Sequence, residues 1–242
     1  PFRTDPASSG RVLIACGGNK VYIFDEFLAR VSGSYKDGLD WEWDATTEAA
    51  TVGLAASRMD HIDDAVPVHD GKQLLITSSY NWAVLLEIAT KKVLWYATGV
   101  TNAHSAEILP GNMIAVACAD GYVALFDASV PNRKLAQYEL SSAHGVVWMD
   151  SVKRLYAIGG TSLQTYRVME NSLSLEGTYN TKSYVSGLHD MTKCDANTLV
   201  MTGSKAALFN VGTEAFTAVP HFSGFAGMKS INCNPDTGEA YY

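Results

Sequence analysis

A block of roughly 40 residues recurs along the chain with one internal plan, and repetition on that scale leaves few folds open. The clearest copy starts at His104. Ser105 to Leu109 reads as a strand, Pro110-Gly111-Asn112 as a tight turn, and Met113 to Cys118 as a buried strand of nearly continuous apolar residues. Ala119-Asp120-Gly121 turns the chain again, Tyr122 to Phe126 forms a third strand, and Lys134 to Leu140 a more polar fourth. Four short strands per unit is the plan of a propeller blade.

Copies of this plan fall near residues 11–47, 61–99, 104–140, 144–180 and 189–219, with a partial one at 226–242. The first copy lacks a first strand. Met228 to Cys233 matches a first strand, and Glu239 to Tyr242 follows it after a turn. The expectation is an all-β, single-domain β-propeller of four-stranded antiparallel blades, six in number with five as the alternative. Pairing of N- and C-terminal strands would close it, because closure removes the unpaired edge that invites aggregation. Between Asp25 and Asp60 the linker is longer than elsewhere, and Ala45 to Arg58 has helical character, as a flap would.

The string from His104 to Asp127, with its Leu-Pro-Gly-Asn turn and closing Leu-Phe-Asp, resembles WD40-like and pyrroloquinoline-quinone-type propeller repeats. Thr90 to Trp95 and Trp41 to Asp44 carry the same resemblance. It covers nearly the whole chain and specifies architecture, although no Trp-Asp pair ends the third strands. The chain also resembles bacterial arylsulfotransferases, in which a His before such a turn is common; this implies sulfuryl transfer through His104, His144 and His189. A third resemblance, to oligogalacturonate lyases, implies a divalent metal ion held by histidines of several blades.

Aligning the copies on their first turns puts His104, His144 and His189 at one position, Asp63 at that position one blade earlier, and Met228 one blade later. His61 precedes Asp63 by two residues, so an extended strand would place both on one side. First strands line the channel of a propeller, so these side chains are expected at its mouth. His104, His144 and His189 are the candidate catalytic residues, since imidazole titrates near neutral pH. Together with Asp63 they form a candidate metal set, borderline ligands suited to zinc or a transition metal. His61, Asp63, Asp190, Trp41 and Trp43 are the candidate ligand-binding residues. The competing reading makes each His a staple between blades, hydrogen-bonded to a neighbouring backbone. His69 and His221 are expected to face solvent.

A net charge of -7 without a Lys/Arg run argues against nucleic acid as a partner. No apolar stretch is long enough to span a membrane as a helix. Cys16, Cys118, Cys194 and Cys233 lack Cys-x-x-Cys spacing and read as small buried hydrophobes; a Cys194–Cys233 disulfide is conceivable but not favoured. The expected protein is a monomeric, extracytoplasmic propeller binding a small polar or carbohydrate ligand, as a His- or metal-dependent polysaccharide lyase or hydrolase. A non-catalytic propeller that engages a protein partner and an arylsulfotransferase-like transferase are the alternatives.

Overall fold

The computed structural model describes residues 12–219, 227–233 and 240–241. Two compact units divide the chain, Pro1–Thr101 and Asn102–Tyr242. The first unit opens with a three-stranded antiparallel sheet of β1 (Val12–Gly17), β2 (Lys20–Asp25) and β3 (Leu39–Asp44). Between β2 and β3 lies helix α1 (Glu26–Ser32), started by the Asp25 side chain, which accepts the Leu28 backbone N–H at 2.9 Å. Helix α2 (Ala49–Val52) lies between β3 and the next sheet, flanked by single 3₁₀ turns at Ala45–Glu48 and Ala56–Arg58. This segment is not a flap. Ala45, Ala49, Val52 and Met59 are buried in one apolar cluster with Val21, Ile23, Trp43, Trp82 and Val84. The unit's second sheet is a complete blade, β4 (Ile62–Val68), β5 (Gln73–Ser78), β6 (Trp82–Glu87) and β7 (Lys92–Thr98).

Three complete blades build the second unit. They are β8 (Ala103–Leu109), β9 (Met113–Cys118), β10 (Tyr122–Asp127) and β11 (Lys134–Glu139); β12 (Ala143–Met149), β13 (Arg154–Gly159), β14 (Ser162–Val168) and β15 (Leu173–Asn180); and β16 (Asp190–Lys193), β17 (Thr198–Thr202), β18 (Ala206–Asn210) and β19 (Ala215–Ala218). Each is an antiparallel meander. The second strands of the four complete blades are buried along nearly their whole length because both faces are covered. On β13, Leu155 and Ala157 face Ala115, Ala117 and Val123 of the preceding blade, while Tyr156 and Ile158 face Met191, Leu199 and Phe209 of the following one.

Among the described residues five blades are present, not six, the first of them with three strands. The last described strands, β20 (Asn232–Cys233) and β21 (Ala240–Tyr241), pair with each other over two residues, too short a ladder to make another blade. Nor is the expected terminal closure shown: the first sheet has three strands, and β20 has β21 as its sheet partner. Cys194 and Cys233, read from sequence as buried thiols, form a disulfide across 39 residues, while Cys16 and Cys118 are free. Cys194 directly follows β16 and Cys233 ends β20, and their Cα atoms lie 4.9 Å apart, within the reach of a disulfide. The turn expected at 234–238, together with Glu239 and His221, lies outside the described residues.

Two glycines let the entry to a first strand pass close over the end of the second. A Cβ on Gly159 would come within 2.5 Å of the Ser141 carbonyl oxygen and 2.7 Å of that of Ser142; on Gly203 it would meet the Ser186 and Gly187 oxygens at 2.5 Å. Backbone cannot rotate aside as a side chain can. Gly159→Ala is therefore expected to destabilise the protein by about 1–3 kcal/mol, the range for overpacking. Urea titration beside the wild type checks this; an unchanged midpoint would mean that the entry loop relaxes freely.

Candidate functional site

The first strands are entered by one recurring local device. Asn102 (φ 53°), Ser142 (φ 53°) and Gly187 (φ 58°) adopt the left-handed conformation, which costs little for Asn and nothing for Gly. A buried apolar residue follows, Ala103, Ala143 or Leu188, and then the histidine. In the first unit His61 (φ 54°), Ile62 and Asp63 repeat the pattern.

Strand pairing skips a residue at Asp63, His104 and His144. The registers pass from Ile62 to Asp64 on β4, from Ala103 to Ser105 on β8, and from Ala143 to Gly145 on β12. Each skipped residue is a β-bulge, which leaves the ladder and re-aims its side chain. His189 stands immediately before β16, its N–H bonded to the Thr202 carbonyl at 2.9 Å.

The three rings of the second unit touch in sequence. His104 and His144 stack with centroids 4.3 Å apart and planes at 26°, and His144 meets His189 edge-on at 5.1 Å and 83°. All three are half-buried. His104 Nε2 lies 3.2 Å from Asn102 Oδ1, and His144 Nδ1 lies 2.8 Å from the Ser142 carbonyl oxygen. A carbonyl can only accept, so Nδ1 of His144 carries hydrogen and a neutral ring keeps its lone pair on Nε2. Gly187 has no side chain with which to hold His189. Instead the Lys229 ammonium donates to His189 Nε2 at 2.9 Å.

Lys229 is the residue that the sequence alignment missed. Gly227 has φ 74° and Met228 is buried, so Lys229 occupies the register of the histidines and Met228 that of Ala103. The alignment was one residue out because it counted from the turn, whereas the structure keeps register from the left-handed residue.

Burial chiefly, and then the charges of Lys229, His144 and His104, hold the His189 pKa below its ordinary value. Asp190, next in the chain, does not compensate. Its desolvated carboxylate is held above the usual range by burial and accepts the Ile231 backbone N–H at 2.8 Å. It staples β16 to the segment before β20 and is not presented to a ligand.

The remaining candidates divide. Asp63 accepts the Ser79 N–H at 2.5 Å, and the exposed His61 stacks on Tyr80 at 3.9 Å; both belong to the first unit. Trp43 is 2% exposed in the core, which removes it as a ligand-facing surface; alternation along β3 turns it inward. Trp41 is half-buried, donating to the Ile88 carbonyl at 3.0 Å beneath the Lys91 ammonium. His69 is exposed beside Gln73.

The metal set does not fit. Among the described residues no group of three or more His, Cys, Asp or Glu side chains is arranged to hold a metal ion. Stacked imidazoles run their in-plane lone pairs side by side, whereas a shared ion needs them to converge at about 2 Å. A lysine cation moreover occupies Nε2 of His189.

A cleft of about 770 Å³ lies at the far ends of β8 and β12, lined by Pro110, Trp148, Arg154, Arg167 and Met169. Its guanidinium groups are engaged within the protein, since Arg154 and Arg167 both pair with Glu176.

No curated protein matches the chain. The model of a family of unknown function, DUF6528, matches residues 31–239, well over half of the length. The chain belongs to the DUF6528 family.

Proposed function

We propose that the protein binds a small polar ligand, of the carbohydrate class, at the entry ends of β8, β12 and β16. One observation carries this reading: successive blades present titratable rings in contact, two of them on bulges that take the side chain out of the sheet. A staple needs only a backbone partner. Ring-to-ring contact between three imidazoles serves no pairing of strands, and it concentrates polar donors and acceptors on a half-buried surface.

His144 is the acid–base group in this reading. With Nδ1 donating to Ser142, its Nε2 lone pair is left to take a proton, as an elimination or hydrolysis at a bound sugar requires. His189 plays a different part, because Lys229 occupies its Nε2. The Cys194–Cys233 disulfide supports an oxidising, extracytoplasmic setting.

The test is a panel of neutral and acidic mono- and oligosaccharides, followed through the imidazole ¹⁵N resonances. A ligand of this class is expected to shift at least two of the three rings. His144→Ala should weaken it by about tenfold, the loss of one good hydrogen bond, while the protein stays folded. Silence of every ring across the panel, with a steep loss of melting temperature in His144→Ala, would establish the staple reading instead.

A further inference from the structure

We infer that the group recognised at this site is an oxyanion, held by the Lys229 ammonium beside the His189 and His144 rings. The inference rests on the binding reading above and deepens it by naming the charge of the ligand. An ammonium has three protons, and Lys229 gives one to His189. Lys229 is exposed, and no carboxylate pairs with it among the described residues. Its neighbours in the row are His189 and then His144, both basic.

The acidic group closest in sequence to this row is otherwise engaged. Asp190 turns its carboxylate to the Ile231 N–H. A chain of net charge -7 thus sets basic groups from β12, β16 and the segment before β20 side by side. A neutral sugar would satisfy the donors but leave the charge uncompensated. A carboxylate, phosphate or sulfate group does both, through charge-assisted hydrogen bonds that are stronger than neutral ones.

The donors suit such a group. Lys229 gives one ammonium proton to His189 Nε2, which fixes its head beside the row and leaves two protons for the oxygens of one anion. Lys229 supplies the ammonium charge of the row.

The experiment measures dissociation constants for inorganic phosphate, sulfate, acetate and galacturonate, with galactose as the neutral arm, on the full chain. At least one oxyanion is expected to bind with shifts at His189 and His144. Lys229→Met should weaken it by tenfold or more, and Lys229→Arg should restore it to within about threefold, since a charge-assisted contact is worth this much. Preference for acetate and galacturonate would identify a carboxylate, and preference for phosphate or sulfate a tetrahedral ester. Equal affinity in wild type and Lys229→Met overturns the inference. If galactose alone moves the rings, the binding reading stands and the oxyanion falls; if nothing does, both fall.

Discussion

Removing the Cys194–Cys233 disulfide, by reduction or as Cys194→Ser/Cys233→Ser, is expected to lower the unfolding free energy by about 2–4 kcal/mol. The bridge closes a loop across 39 residues, and a cross-link of that span restricts the unfolded chain substantially. Little else fastens the segment it ends. Among the described residues, 227–233 are attached through the Met228 N–H to the Gly203 carbonyl at 3.0 Å, the Ile231 N–H to Asp190, the Lys229 ammonium to His189, and burial of Met228 and Ile231 against Val200 and Ala206. Reductant should shift the urea midpoint of the wild type down to that of the double variant and leave the variant unmoved. Coincident midpoints with and without reductant would show that the cross-link contributes nothing. The same segment carries Lys229, so reduction should also weaken any ligand that depends on it.

The blades were legible because burial on both faces writes itself into composition. Met113 to Cys118 and Leu155 to Ile158 are nearly continuous apolar runs, and both lie in second strands. Blade number was less legible, since Glu239 to Tyr242 has the apolarity of a strand whether or not a sheet follows; the structure gives it two paired residues. Trp43 failed for a different reason. Its place in a long connection suggested exposure, but position on β3, alternating with Glu42, decides which way it faces.

The histidine register was readable from spacing, but what the register does to the side chains was not. A bulge has no composition of its own; here it stands two places after a residue at positive φ, His61, Asn102 or Ser142, and Gly187 and Gly227 hold that same place before His189 and Lys229. Counting from that residue would have found Lys229 and set Met228 in the core. Contact between rings depends on how neighbouring blades lie, which no single repeat encodes. Asp190 read as a ligand residue because it adjoins His189, yet the next residue of a strand points to the other face, here toward Ile231.

Glu107 should make the protein lose about 3 kcal/mol of stability as pH rises from about 5 to about 8. It lies on β8, where its carboxylate oxygens accept the Ile108 and Trp148 backbone N–H groups at 3.0 Å, tying β8 to β12. The residue is half-buried, and its carboxylate is the desolvated part. Burial outweighs those two bonds and the Lys193 charge, pushing its pKa from 4.5 up to about 7. Below the unfolded value both states are protonated and the stability is complete. Between 4.5 and about 7 the folded protein holds a proton that the unfolded chain has released, so each step up in pH favours unfolding. Above about 7 the folded state carries a buried charge, and the loss is complete. His189, with its lowered pKa, acts in the opposite sense at acid pH, so the comparison must isolate Glu107. Glu107→Gln does so. Its amide accepts one N–H and leaves the other unsatisfied, at a cost of about 1–3 kcal/mol, but it cannot ionise. The variant should therefore be the less stable protein near pH 5 and draw level with the wild type, or pass it, near pH 8. Urea titrations of both proteins at the two pH values decide the matter: parallel losses would place the titrating group elsewhere, whereas converging or crossing curves assign it to the carboxylate between β8 and β12.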